Sequence, residues 1–341
     1  MSRMRISVQF ALVLGAILGA IALIPTDEIA AAFAHPQRVA RLGGAIPEAT
    51  LRGALWLRIA LAVAAVAIPA LVFVIARVLG LAPRTDSPPS PPATRGELLL
   101  LVTLTTVGLA LRVALASESL WYDEISALVS FALEGPGVAF GSYAVPTNHV
   151  PMTLAMWAMT AVSGEVGEWT LRLPAIVAGV IAIPVAWAFA REVAPRAIAA
   201  RAGICAALVV AITPIPAIES AEARGYAFVI AASLVAALAL ARLARTRALG
   251  DALLLAVSCA FAAWSHPVAA VLPAAIGFTG FARFTLSRRA TTTNDRDIAR
   301  LTNLATALAA LLSAVLAAPL LAPLLADVLA HRGDYLRSAV G

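Results

Sequence analysis

Seven apolar stretches, at roughly 6–24, 54–81, 97–116, 171–190, 198–216, 225–241 and 303–326, are each long enough to cross the ~30 Å hydrocarbon core of a bilayer. In hydrocarbon every backbone N–H and C=O must be satisfied within the segment, so such a chain folds as a bundle of membrane helices. Composition agrees: 61% of the 341 residues are hydrophobic and only 13% charged, with mean hydropathy +0.91, which excludes a water-soluble globule. A further stretch, 248–282, is interrupted by Ser265, His266 and Pro267. It reads better as a tight hairpin of two short spans than as one helix with His and Pro at its centre. The expectation is an all-α polytopic bundle of about nine transmembrane helices. The apolar piece Val150–Val162, with Pro151 near its start, is too short to cross and is expected to lie at the interface.

Arginine sets the orientation. All 25 basic residues are Arg. With the N-terminus in the cytoplasm and 150–162 not crossing, the clusters around Arg77, Arg191, Arg242 and Arg288 fall inside, together with Arg3 and Arg5. That places sixteen of the 25 Arg in the cytoplasm, as the positive-inside rule requires, although Arg38, Arg41 and Arg52 sit on the other side. If 150–162 crossed, the last three clusters would be external. The Arg are scattered between apolar runs and form no basic stripe, so a net charge of +6 does not indicate a nucleic-acid partner. Cys205 and Cys259 both lie in apolar runs and suggest neither a disulfide framework nor a cysteine metal site. The segment SPPSPP, Ser87–Pro92, cannot be helical. It divides an N-terminal two-span hairpin (1–81), by way of a Pro-rich cytoplasmic linker (82–96), from a transmembrane module (97–341).

In this orientation thirteen of the 19 acids are external. The loop Ser117–Thr170 holds Glu118, Asp123, Glu124, Glu134, Asn148, His149, Glu165 and Glu168, with no basic residue. Such a loop suits a general base, a divalent cation, or both. Within it, SLWYDEISAL (Ser119–Leu128) reads as an interfacial helix with Trp121 and Tyr122 at headgroup depth and two acids at its N-terminus. Capping alone would equally explain the acids. Adjacent carboxylates diverge on a helix, so one at most points at a reacting atom. Two further polar islands reach the same face: IESAEARGY (Ile218–Tyr226) with Glu219, Glu222 and Arg224, and the Ser265–His266–Pro267 turn. Arg172, at the outer start of its span, either snorkels or meets a lipid phosphate.

These segments resemble the GT-C superfamily of integral membrane glycosyltransferases, in the branch of protein O-mannosyltransferases and lipid A aminoarabinose transferases. The resemblance rests on WYDEISAL, NHVPMTLAMW, EWTLRLPAIVAGVIAIPVAWAFAREV, TPIPAIESAEARGYAF and WSHPVAAVLPAA, in that order over some 170 residues. It implies transfer of a sugar from a polyprenyl-phosphate donor to a lipid, glycan or protein acceptor hydroxyl on the extracytoplasmic side of a bacterial plasma membrane. Asp123 and Glu124 become the catalytic pair, with Asp123 the base. Arg224, His266, Arg172 and His149 become candidates for the donor phosphate, and Glu222, Tyr226 and Asn148 supporting residues. The family also admits a divalent metal ion, here at Asp123 and Glu124. Members commonly carry further C-terminal spans, so the module is expected to be a short member, a truncated product or one half of a split enzyme. The alternative reading is a non-catalytic scaffold, or a transporter of a lipid-linked solute, on the same fold. Surface acids and the lack of a repeated half favour the enzyme.

Overall fold

The computed structural model describes residues 2–81, 91–143, 147–287 and 293–330. Fifteen α-helices, and no strand, occur among the described residues. In chain order they are α1 (Ser2–Ala22), α2 (Thr26–Phe33), α3 (Pro36–Arg41), α4 (Glu48–Leu81), α5 (Arg95–Leu115), α6 (Tyr122–Ala127), α7 (Pro136–Gly141) and α8 (Val150–Ser163), followed by α9 (Glu168–Val193), α10 (Ala199–Ile212), α11 (Pro214–Glu219), α12 (Tyr226–Thr246), α13 (Leu249–Ser265), α14 (Val271–Ser287) and α15 (Thr293–Ala330). Every expected apolar run is a helix. Among the described residues six are long and apolar enough to cross a membrane, and α1 with α2, bent by 89°, would make a seventh. The expected spans at α10 and α13 are shorter, at 14 and 17 residues. The chain is a multi-pass membrane protein.

Alanine lets the helices approach closely where burial of apolar surface drives nothing. Ala236, Ala239, Ala252, Ala256, Ala305 and Ala309 are buried in one cluster with Ala64, Ile68, Val72 and Ile75 of α4. The N-terminal hairpin thus shares its core with α12, α13 and α15. The proline run of the expected linker lies mostly outside the described residues; chain from Pro91 leads directly to Thr94, whose hydroxyl caps α5 by accepting from the Glu97 amide at 3.2 Å.

Charged side chains gather at the two ends of the bundle. At one end Arg191 of α9 pairs with Glu97 of α5, Arg245 of α12 with Glu192, and Arg242 with Asp251 of α13 (3.1 Å). The other end carries the segment 116–167. Arg172, near the start of α9, is hydrogen-bonded to the Ala116 carbonyl at the close of α5 (2.9 Å). The segment therefore leaves and rejoins the bundle at the same end without crossing it. α8 begins beside that end and is about 21 Å long at 1.5 Å per residue. It packs Met152 and Met156 against Leu171 and Ala175.

α7 is bound to the N-terminal hairpin through two glycines one turn apart. A Cβ on Gly137 would lie 2.1 Å from the Ala32 carbonyl oxygen, and one on Gly141 2.2 Å from the Phe33 ring. Only glycine permits this approach, so α2 and the 116–167 segment form one surface.

Candidate active site

The first turn of α6 sends its two acids in opposite directions. Glu124 points inward and is fully buried. Its carboxylate accepts from Arg172 Nε (2.9 Å) and Nη2 (2.7 Å), from the Ala223 amide (2.6 Å) and from the Trp121 amide (2.8 Å). Burial alone would push this carboxyl up, but the Arg172 and backbone donors hold it below the usual carboxylate range. Arg172 is likewise buried, and its remaining N–H groups donate to the carbonyls of Ala116, Glu118 and Ser119. All five of its donors are spent within the protein. Glu124 and Arg172 therefore stand behind the cluster as its brace. Neither has a free polar atom for a substrate; the resemblance suggested Glu124 as the partner of Asp123 in the catalytic pair and Arg172 as a ligand of the donor phosphate.

The brace explains the convergence of distant segments. Because Glu124 binds the Ala223 amide, it draws the loop after α11 against α6. The next residue, Arg224, then reaches the carboxylate of Asp123 at 3.1 Å. Arg224 also pairs with Glu222 at 3.2 Å and stacks over the Tyr226 ring at 4.9 Å. Its Nε has no hydrogen-bond partner among the described residues. Tyr226 stacks on His266 (centroids 4.9 Å), and His266 on His149 (5.1 Å). His149 and Tyr226 also meet directly, at 5.5 Å, so three sequence-distant islands form one mutually packed cluster of rings, with Arg224 over Tyr226 and Asp123 beside Arg224. Asn148 is buried and donates to the carbonyls of Ala139 and Ser142, at 2.9 and 2.8 Å, fixing α7 against the start of α8. It positions His149 and does not face the cluster with a donor.

Neither histidine is a cation at neutral pH. Burial, then the neighbouring His266 and Arg224, push His149 down to about 4, and burial with Arg224 also lowers His266. His266 Nδ1 accepts from the Val268 amide (3.2 Å), so the neutral ring carries its proton on Nε2 and can donate there. Of the four phosphate candidates only Arg224 offers both a permanent charge and an unspent donor. Glu219, to which the resemblance gives no role, belongs to the same neighbourhood. Burial raises its carboxyl against the pull of Arg224, and one of its oxygens is buried without a partner. Its place at the end of the short helix α11, not a motif, brings it there.

Asp123 and Glu124 do not fit a shared metal ion. The four acceptor positions of Glu124 are filled by protein N–H groups, and Arg224 stands between Asp123 and Glu222. Among the described residues no group of three or more His, Cys, Asp or Glu side chains is placed to ligate a metal.

Protonation of His149 links acid to stability. Its ordinary value of 6.5 falls to about 4 in the folded protein, so the unfolded chain takes up the proton first. Stability is complete above pH 6.5 and is lost as pH falls toward 4, by about 2 to 3 kcal/mol from this residue. His149→Phe is expected to flatten that part of the profile. Thermal unfolding of both proteins between pH 7 and 4.5 measures it, and parallel curves would refute it.

The fold is that of a polytopic helical membrane protein with a polar cluster at one end of its bundle. The family model of dolichyl-phosphate-mannose-protein mannosyltransferases matches residues 148–321, just over half of the chain. The chain belongs to this family and is a membrane glycosyltransferase of the GT-C type. The matched region includes His149, Glu219, Glu222, Arg224, Tyr226 and His266, but begins after Asp123 and Glu124. No curated protein and no solved structure matches the chain.

Proposed function

We propose that the protein transfers a sugar from a polyprenyl-phosphate donor to an acceptor hydroxyl on the extracytoplasmic side of the membrane. The observation that carries this reading is the 3.1 Å contact between Asp123 and Arg224, which sets a carboxylate base beside a permanent cation whose buried Nε–H has no partner among the described residues. A phosphate is a good leaving group and needs no carboxylic acid to protonate it, unlike the leaving group in glycoside hydrolysis. Two things are needed: positive charge at the departing phosphate, and a proton acceptor for the attacking hydroxyl. Arg224 serves the first, with His266 Nε2–H as a neutral donor. Asp123 serves the second, since a phosphate that engages Arg224 competes with Asp123 for the guanidinium and releases the carboxylate as the substrate arrives. The acceptor oxygen then forms its bond to the anomeric carbon as the bond from that carbon to the phosphate oxygen breaks. The hydroxyl proton passes to Asp123 and the electron pair leaves with the phosphate. The side of the membrane is supported by the Arg of the opposite end, Arg191, Arg242 and Arg245, which mark the cytoplasmic face under the positive-inside rule.

Purified protein in proteoliposomes is expected to move label from a radiolabelled polyprenyl-phosphate sugar to an acceptor in a membrane extract. Arg224→Gln is expected to raise the donor KM by about 10- to 100-fold, the worth of one charge-assisted hydrogen bond to a phosphate. Failure of the wild-type protein to bind or turn over any such donor would defeat the reading.

A further inference from the structure

At the end of the bundle that carries the cluster, α1, α2 and α4 of the N-terminal hairpin enclose, with α7 and α15, a cavity of about 550 Å³. That is within the size range of ligand pockets. Leu18, Ile21, Leu57, Leu61, Phe140 and Val315 line it, and among the described residues the only charged one in its wall is Glu28. Ile21 and Glu28 are exposed, so the cavity opens to the outside of the bundle. On the other side aromatic rings continue from the wall to α13. Phe33 meets Phe140 at 5.7 Å and Phe140 meets Trp264 at 6.0 Å, and Trp264 lies two residues before His266. Nearly all of this wall lies outside residues 148–321, so it is a feature of this chain's own hairpin.

We infer that this cavity seats the hydrocarbon chain of the polyprenyl-phosphate donor, making the N-terminal hairpin part of the donor site; this rests on the donor class proposed above. Charge decides which part of the donor enters. A phosphate would be repelled by the Glu28 carboxylate in the wall, whereas an isoprenoid chain finds branched aliphatic and aromatic surface along the rest of it. The anionic head is then left to Arg224, in the cluster at the same end of the bundle. The glycine contacts of α7 on α2 hold the wall closed between the two parts of the protein.

The test uses a long-chain polyprenyl phosphate with a diazirine at the end of its chain, irradiated with the full-length protein in liposomes. Labelled peptides are expected from α1, α4 and the middle of α15. Labelling confined to other helices, or abolished by excess phosphatidylglycerol, overturns the inference, the second result marking a general acyl-chain site. Ile21→Trp provides a kinetic arm because the residue is exposed and its replacement leaves the core alone. Relative to a short-chain donor, the KM of the long-chain donor is expected to rise about tenfold, the worth of roughly two methylenes lost from apolar contact. An equal change for both donors overturns the inference while leaving the glycosyltransferase reading intact. Labelling of the cavity by a wild-type protein that transfers no sugar would do the reverse.

Discussion

Asp123→Asn is expected to lower sugar transfer by a factor of about 10² to 10⁴, the usual contribution of a positioned general base, while donor binding stays the same or tightens. The asparagine has the size of the aspartate and keeps an oxygen for the Arg224 contact, but it cannot take the proton of the acceptor hydroxyl. It also removes one of the two carboxylates that compete with a phosphate for Arg224, the other being Glu222 at 3.2 Å. The signature is therefore a fall in kcat with the donor KM unchanged or lowered, which a merely structural role would not give. Single-turnover transfer and equilibrium donor binding, measured on the same preparations, separate the two effects. Transfer at the wild-type rate would remove Asp123 from the chemistry.

The helices of this protein were legible in its sequence because a bilayer permits so few solutions. Apolar run length marks the long helices, though not the short α2, α3 and α7, and the Arg clusters group the helix ends in a way that keeps 150–162 from crossing. The approach of Asp123, Arg224 and His266 followed from the same bookkeeping, since all three islands fall on one face. Individual roles were less legible. Arg172 in LRLP reads as a snorkelling or phosphate-binding residue because its actual partners are the carbonyls of Ala116, Glu118 and Ser119, and backbone atoms leave no trace in residue type. The two histidines look like phosphate cations in sequence, and only burial beside Arg224 shows that they are neutral. The N-terminal hairpin reads as a separate module from SPPSPP, yet Gly137 and Gly141 bind its α2 to the loop that carries the acids. That contact depends on the absence of a side chain, and such an absence has meaning only once the partner helix is in place.

Arg172→Met is expected to be the most damaging single change outside the cluster, costing about 3 to 5 kcal/mol, because it strands the Glu124 carboxylate where no water reaches it. Three backbone carbonyls at the end of α5 lose their donors at the same time. The double variant Arg172→Met, Glu124→Leu removes the stranded charge and is expected to recover part of the loss. It cannot recover all of it, because the Ala223 and Trp121 amides would then lack the acceptor they now have, at about 1 to 3 kcal/mol for each buried orphan. Melting temperatures of the three proteins in detergent give the order: wild type highest, the double variant between, and the single variant lowest. The same variants test whether the brace sets the site. With the Ala223 amide released, the segment bearing Arg224 is no longer held to α6, so the double variant should regain stability without regaining transfer. A double variant as active as the wild type would show that Asp123 and Arg224 find each other without the buried pair.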